Sequence, residues 1–571
     1  MGGTGPTAVY ANVVAAWHRD PAAGEAAAAR LRARHGPALR PARDGWRVAV
    51  TPFHGRAEDE VVGAAGSTVV VEQPGGPSAA DHPIWRARAS PAELLAGAGD
   101  FGAVHLTGPG EVTVVRSCGG TVPLYLRATA DEVVVATRLG DVAGATGSCE
   151  PDGLPLAILT TGAFVFPDGR TPLRGVQALP RGTRTVVTGG RLATERYWRP
   201  EEQEVRVPTA AEAAEHRVEL REALLEHLDR TTPRRGALLA MSGGVDSTAL
   251  AHLLARVVGG DLATLSLVPA DPDGLAVEES FIDPVLHAVG VTRAHKKAMT
   301  AGEYLRLLEA APRVGFPVIH PVLLALPEVL ERWPVRALVG GEYADEVTGS
   351  WMTMSDWGRH ARLRDLVATG FRGADRRTDL LRWSAHRALW HLRRPVAPLP
   401  AALPDIVHPE LRREYADWRR AWRAGHVASG LPLHYLRMSG GVDGFVAQSW
   451  EACSHHGVIR TFPFFNRRVL ELAHRCHPVE RLGPGRKKLL RRALAGDVPA
   501  HNLHRADKGA FLYGGDVLGH GDPLATAAGP LLDAGWIERS YDPTVSFHAA
   551  WVQQLLSSLT SLGAAPSRGG G

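Results

Sequence analysis

Ala237-Leu238-Leu239-Ala240-Met241-Ser242-Gly243-Gly244-Val245-Asp246-Ser247-Thr248-Ala249-Leu250 is the stretch on which the reading of this chain turns. An apolar run breaks into two glycines and resumes with apolar residues at helical spacing, which predicts strand, tight turn and helix. Glycine admits positive φ and a close backbone approach, and the free amides that open the helix, with the hydroxyls of Ser242 and Ser247, can surround an anion. The stretch reads as a phosphate cradle built from Ser242, Gly243, Gly244, Asp246 and Ser247. It is not the cradle with a lysine after its second glycine; Asp246 stands near that place, and an acid beside phosphates calls for a metal ion. A ligand-free glycine turn is the alternative, against which Ser-Gly-Gly-Val-Asp-Ser sets five informative positions in the right context.

These residues resemble the ATP-pyrophosphatase loop of the asparagine-synthetase superfamily. The resemblance implies ATP as the nucleotide, cleavage between its α and β phosphates, and transfer of AMP to a carboxylate.

Working outward, 571 residues exceed what one core usually holds, so two domains are expected. A hydrophobic fraction of 45% and a charged fraction of 22% allow sizeable cores, and no uninterrupted apolar run of about 18 residues exists to span a bilayer. No basic residue precedes the apolar part of the first sixteen residues, and Arg19 and Asp20 follow soon after, so a cytoplasmic protein without a membrane partner is expected. The net charge of +4 comes from well-mixed signs, which gives no indication of nucleic acid as a partner. Cys118, Cys149, Cys453 and Cys476 are too far apart for a zinc motif or a disulfide framework and read as inert thiols.

Residues 1–205 alternate short β-rich runs with turns, Arg47 to Val50, Ser67 to Val71, Val112 to Arg116, Glu132 to Ala136 and Thr183 to Val187 among them. Arg116-Ser117-Cys118-Gly119-Gly120-Thr121-Val122-Pro123-Leu124-Tyr125, and Gly175 to Gly182 leading to Tyr197-Trp198, resemble the glutamine-amidotransferase domain of asparagine synthetases. An α+β, β-sandwich domain is therefore expected. That family works by an N-terminal cysteine, whereas Gly2 stands at the corresponding place, no cysteine precedes Cys118, and no Asn-Gly-Glu stretch is evident between Tyr10 and Asp100. The resemblance is one of scaffold, and glutaminase activity is expected to be absent.

Pro200 to Thr209 reads as a linker, and residues 206–571 as the second domain. Ala211 to Leu228 has helical spacing; Leu262 to Val268 and Arg336 to Val339 read as buried strands. Strands alternating with helices predict a doubly wound parallel α/β sheet with helical additions, whose ligands sit at the strands' carboxyl ends. Val339-Gly340-Gly341-Glu342-Tyr343-Ala344-Asp345-Glu346 is such an end.

An amide cannot form readily from a carboxylate, so phosphate donors, a magnesium site, a charge stabiliser and a base for the amine are needed together. By resemblance to the family's paired acids, Asp246 and Asp345 are the Mg²⁺ ligands, Gly341 and Ser266 join the nucleotide site, and Glu342 is the candidate base. Thr461 to Ala473 resembles the family's Pro-Phe-Leu-Asp segment with Asn466 replacing the acid. Gly485 to Leu494 resembles its Lys-x-x-Leu-Arg helix and places Lys487 at the functional lysine, with Lys488 the rival. Arg505 to Phe511 completes the signature. Met438 to Gly444 copies the cradle, but no apolar strand precedes it, and it is expected to be a decoy. The tryptophans at 351, 357, 383, 390, 418 and 422 read mainly as core packing.

With the thiol missing and the adenylating parts present, the pattern resembles lasso-peptide cyclases. This implies a precursor peptide as substrate, a leader peptidase and a leader-recognition protein as partners, and attack by the N-terminal amine on an activated Asp or Glu. An ammonia-using asparagine synthetase and a β-lactam synthetase are the alternatives, the latter group carrying Tyr where Glu342 stands.

Overall fold

Val13 and Val14 lie on opposite faces of one strand, and each face is buried, because the N-terminal half stacks two sheets and covers them with helices. In the computed structural model the described residues are 11–53, 68–72, 88–96, 99–147, 150–159, 169–199, 208–311, 316, 318, 320–349, 402–403, 407–429, 444–481 and 487–505. Strands β1 (Ala11–His18), β2 (Leu39–Pro41), β3 (Arg47–Pro52), β4 (Thr68–Glu72), β5 (Phe101–Gly108), β6 (Glu111–Arg116), β7 (Tyr125–Ala128), β8 (Glu132–Ala136), β9 (Gln177–Ala178), β10 (Thr183–Thr188) and β11 (Arg191–Arg196) form two antiparallel sheets. Their orders are β2-β3-β1-β8-β7-β9 and β11-β10-β6-β5-β4.

Odd-numbered residues of β1 and even-numbered residues of β3 face the second sheet: Val13, Ala15 and Val48 pack with Val104, Leu106, Val112 and Val114. The opposite side, Val14 and Ala16 with Val134 and Ala136, is covered by helices Pro21–His35, Leu139–Thr146 and Gly153–Leu159. Phe101, Ala103 and Val115, on the far face of the second sheet, share a core with Leu239, Phe464 and Leu470 of the C-terminal half. The expected sandwich is present.

In the C-terminal half β12 (Ala237–Ala240), β13 (Leu262–Pro269), β14 (Arg293–Met299), β15 (Ala337–Val339) and β16 (Ile459–Thr461) make one parallel sheet in the order β14-β13-β12-β15-β16. Leu238, Leu239, Leu338 and Val339 are fully buried, as a sheet covered on both faces requires. From β12 the chain winds outward through β13 to β14, then returns to the other side of β12 as β15. The order reverses between β12 and β15, so their carboxyl-end loops diverge there and leave the crevice in which such sheets bind ligands.

The helix read at Ala211 to Leu228 spans Ala210–Thr231, with a capping box between Thr209 and Glu212. Strands β14 and β16 were not anticipated. Arg293-Ala-His-Lys-Lys-Ala-Met is an edge strand, where lysines protect the open ladder and hide the apolar signal, and β16 has only three residues. Trp418 packs beside Tyr415 at 5.9 Å, in keeping with a packing role; Trp351 to Trp390, the second Ser-Gly-Gly copy through Asp443, Cys149 and most of the 200–209 linker lie outside the described residues. Among the described residues no helix is long and apolar enough to cross a membrane.

Candidate active site at the sheet's carboxyl edge

The cradle folds as its sequence requires. Gly243 sits at φ +65°, and a Cβ there would approach the Phe281 Cβ to 2.7 Å, so glycine is needed for both conformation and space. Gly244 is the N-cap of helix Val245–Val258 and has no side chain with which to cap it, which leaves the first amides to a ligand. Ser247 Oγ binds the turn internally, accepting from Ser242 N at 3.1 Å and donating to Gly244 O at 3.2 Å. Ser266 Oγ, beside the cradle on β13, is buried without a hydrogen-bond partner among the described residues. An orphaned hydroxyl at this position fits a ligand's polar edge.

The neighbouring loop after β15 comes close enough that a Cβ on Gly341 would lie 3.0 Å from the Asp246 Cβ. Next to it Tyr343 takes φ 68°, unusual for a residue with a side chain, and is held by its ring, 4.0 Å from that of Phe465 and 5.8 Å from that of Phe462. This left-handed step starts the short helix Ala344–Thr348 and brings Asp345 toward the cradle.

Lys487 joins the two loops. Its Nζ pairs with Asp246 Oδ2 and lies 3.0 Å from Asp345 Oδ1, although 241 residues separate it from Asp246. Burial opposes its charge, but attraction first to Asp246 and then to Asp345 outweighs burial and raises the ammonium above the usual lysine value. Lys487 is itself at φ 53°, so two of the three non-glycine residues with positive φ among the described residues are in this site. Burial and then Arg492 push Lys488 the other way.

Glu342 takes a separate place. Its Oε2 pairs with Arg460 Nη2 at 2.6 Å, not with Lys487. The His320 imidazole nearby is pushed down to about 4, by burial first, with Glu342 opposing and Arg460 assisting, so it is neutral at pH 7.

Sequence reasoning missed Asn502 and Arg460, and named Arg505 only as the start of a signature. Asn502 Nδ2 donates to Gly243 O at 3.1 Å and Phe281 O at 2.7 Å; Arg505 donates to Ser242 O at 3.2 Å, pairs with Glu278 at 2.7 Å and covers the Phe281 ring at 4.1 Å. They tie the C-terminal segment to the back of the cradle. Arg460 had a visible signal, a lone arginine in the apolar run Val458-Ile459-Arg460-Thr461-Phe462, one residue before the segment already singled out. Asn502 had none.

Hard carboxylate oxygens from Asp246 and Asp345, converging beside an anion-binding turn, fit Mg²⁺ better than a soft metal. The arrangement sets the glycine turn at one side, a buried ammonium in the middle and a paired carboxylate on the other side.

Residues 215–565 match the family described as asparagine synthase. No curated protein matches the chain. Among solved structures it is similar to an allosteric regulatory enzyme of purine biosynthesis, at 10% identity and TM-score 0.22 over 51% of this chain and 80% of that one. It is also similar to glutamine phosphoribosylpyrophosphate amidotransferase from B. subtilis complexed with ADP and GMP, at 10% identity and TM-score 0.21 over 51% of this chain and 81% of that one. U34-tRNA thiolase NcsA from Methanococcus maripaludis with its 4Fe-4S cluster follows at 14% identity and TM-score 0.18, over 43% and 82%. Scores this low carry no argument about function.

Proposed function

We propose, for a chain that belongs to the asparagine synthase family and is thus an ATP-dependent amide ligase releasing AMP and pyrophosphate, that the amide it makes is a macrolactam of the lasso-peptide type. In this reading the Asp or Glu side chain of a precursor peptide is adenylated, and the peptide's own N-terminal amine attacks it. A leader peptidase and a leader-recognition protein are the proposed partners.

The observation that carries the proposal is a contrast in cysteine placement. Cys118 is the first cysteine of the sequence, and it is buried, with burial pushing its thiol well above the usual range. A protonated, enclosed thiol is no nucleophile toward glutamine. The adenylating edge, by comparison, has Asp246, Asp345 and Lys487 already together. An amine from the substrate itself fits this pairing, and Glu342 in place of Tyr speaks for it over a β-lactam synthetase.

Asp246 and Asp345 would hold Mg²⁺, which supplies Lewis-acid charge neutralisation on phosphate oxygens. Lys487 neutralises charge developing on the transferring phosphorus and the departing pyrophosphate. The cradle amides, Gly243, Gly244 and Ser242 orient the phosphates. Glu342 accepts a proton from the attacking amine, a service of about 10² to 10⁴-fold when the base is well placed.

The test is incubation with ATP, Mg²⁺ and a linear peptide bearing a free α-amine and an internal Asp or Glu, followed by mass spectrometry. Loss of one water and resistance of the product to aminopeptidase are expected. Turnover of aspartate with ammonia, and of no peptide, would return the chain to asparagine synthesis.

A further inference from the structure

Arg460 is 2% exposed by side chain, yet it reaches Glu342 of the candidate active site. Adjacent strands explain how it gets there: β16 pairs with β15 in register, Leu338 beside Arg460 and Val339 beside Thr461. Its guanidinium folds back over the end of β15, where Nη1 donates to Leu338 O at 3.1 Å, and it lies 4.6 Å from the centre of the Phe462 ring. Nη2 then meets Glu342 Oε2 at 2.6 Å.

A comparison within the protein shows what is distinctive here. Arg116 is equally buried and donates to the carbonyls of Val122, Leu179 and Gly120, which is a structural use of an arginine. Arg460 brings one arm of its fork to a carbonyl and another to a carboxylate whose side chain is still 21% exposed. Oε2 is the buried oxygen of Glu342. Gly340 leaves room for the pair; a Cβ there would overlap Glu342 Oε2 and Arg460 Nη2 and lie 2.7 Å from Glu342 Cδ. With His320 neutral and the Lys487 ammonium engaged by Asp246 and Asp345, Arg460 is the cation assigned to Glu342.

We infer that Arg460 is a positioning residue for acyl transfer, anchoring one oxygen of Glu342 so that the other meets the proton of the incoming amine. Lys487 thereby serves the phosphates and Arg460 the amine side. The inference rests on the proposed role of Glu342 as the acceptor's base. A carboxylate free to rotate would present its lone pairs to the amine only part of the time, and general-base catalysis depends on placement first.

Four variants test it: Arg460→Met, Arg460→Lys, Gly340→Ala, which displaces the pair without removing a charge, and Glu342→Gln. Each is assayed for ATP–pyrophosphate exchange and for amide formation with the linear peptide above and with aspartate plus ammonia. Hydroxylamine, a nucleophile that needs no base at neutral pH, is added as a third acceptor. Arg460→Met, Gly340→Ala and Glu342→Gln should each lower amide formation by about 10²-fold. Exchange and hydroxamate formation should stay within about threefold, Arg460→Lys should recover part of the loss, and the Arg460→Met/Glu342→Gln double variant should be no worse than either single one. Equal loss of exchange and amide formation in Arg460→Met, or multiplicative losses in the double variant, would overturn the inference. Normal amide formation by Glu342→Gln overturns the reading of Glu342 itself, and with it this one. A readout free of substrate is the urea midpoint of the same cycle, where additive shifts would show that the two residues do not act as a pair.

Discussion

Two clusters of buried polar groups, one in each half, are used in opposite ways. Beside Cys118, Asp100 accepts from Ser117 Oγ and from Thr121 N at 2.9 Å, and Arg116 donates to backbone carbonyls. At the carboxyl edge of the parallel sheet, carboxylates from two distant loops converge on one ammonium, and two residues are held at unfavourable φ to bring this about. Hydrogen bonds that close on themselves stabilise a fold. Convergent charges that lack a closed network are an arrangement for a ligand, and strain concentrated at the same place supports that reading.

The largest effect should come from breaking the convergent cluster. Lys487→Met, Asp246→Asn and Asp345→Asn should each reduce carboxylate-dependent pyrophosphate release by about 10²-fold or more, while Lys488→Met stays within a few-fold. A Lys488 effect as large as that of Lys487 would move the functional lysine by one residue. Gly243→Val comes next. Its side chain would have to displace Phe281 and adopt φ +65°, so KM for ATP should rise by at least about tenfold, with strain of the order of 1–3 kcal/mol.

The closed cluster is expected to respond in stability rather than rate. Asp100→Ala leaves Ser117 and the Thr121 amide without their acceptor, and urea unfolding should show a loss of about 1–3 kcal/mol, with pyrophosphate release per folded molecule unchanged.

A smaller, pH-dependent effect belongs to Glu451, which joins the halves through Arg138 at 3.1 Å. Burial, only partly opposed by Arg138, raises its carboxyl to about 7. The folded protein thus binds a proton that the unfolded chain releases near 4.5, so this group's contribution is present below about 4.5 and is lost as pH rises to 7. Relative to Glu451→Gln, the protein should lose about 1–3 kcal/mol of stability between pH 5 and 7.5 in denaturant titrations, and parallel curves would refute the shift. Smallest of all is Cys118→Ala, for which amide formation should be unchanged within about twofold and no glutamine-dependent glutamate should appear before or after substitution. A glutaminase rate of order 1 to 10³ s⁻¹ would make the N-terminal half a working enzyme.

Some of this was legible in residue order alone because its causes are local. Ser242-Gly243-Gly244 must turn, Leu238 and Leu239 must be buried, and Ala211 to Leu228 must be helical, since each outcome depends on the preferences and spacing of a few consecutive residues. The N-terminal sandwich was legible for the same reason, through its two-residue alternation. Lys487, Glu342, Asp246 and Asp345 were named by resemblance to motifs, not by any local rule; the pairing of Lys487 with the two acids was not foreseen, and Arg460 was not found. Whether Lys487 faces Asp246, whether Glu342 faces Arg460 and whether Asn502 reaches Gly243 depends on strand order β13-β12-β15-β16, which brings together residues more than a hundred positions apart. Strand order follows from burying the helices' apolar faces on both sides of the sheet at once, a condition on the whole chain that no stretch of it carries alone.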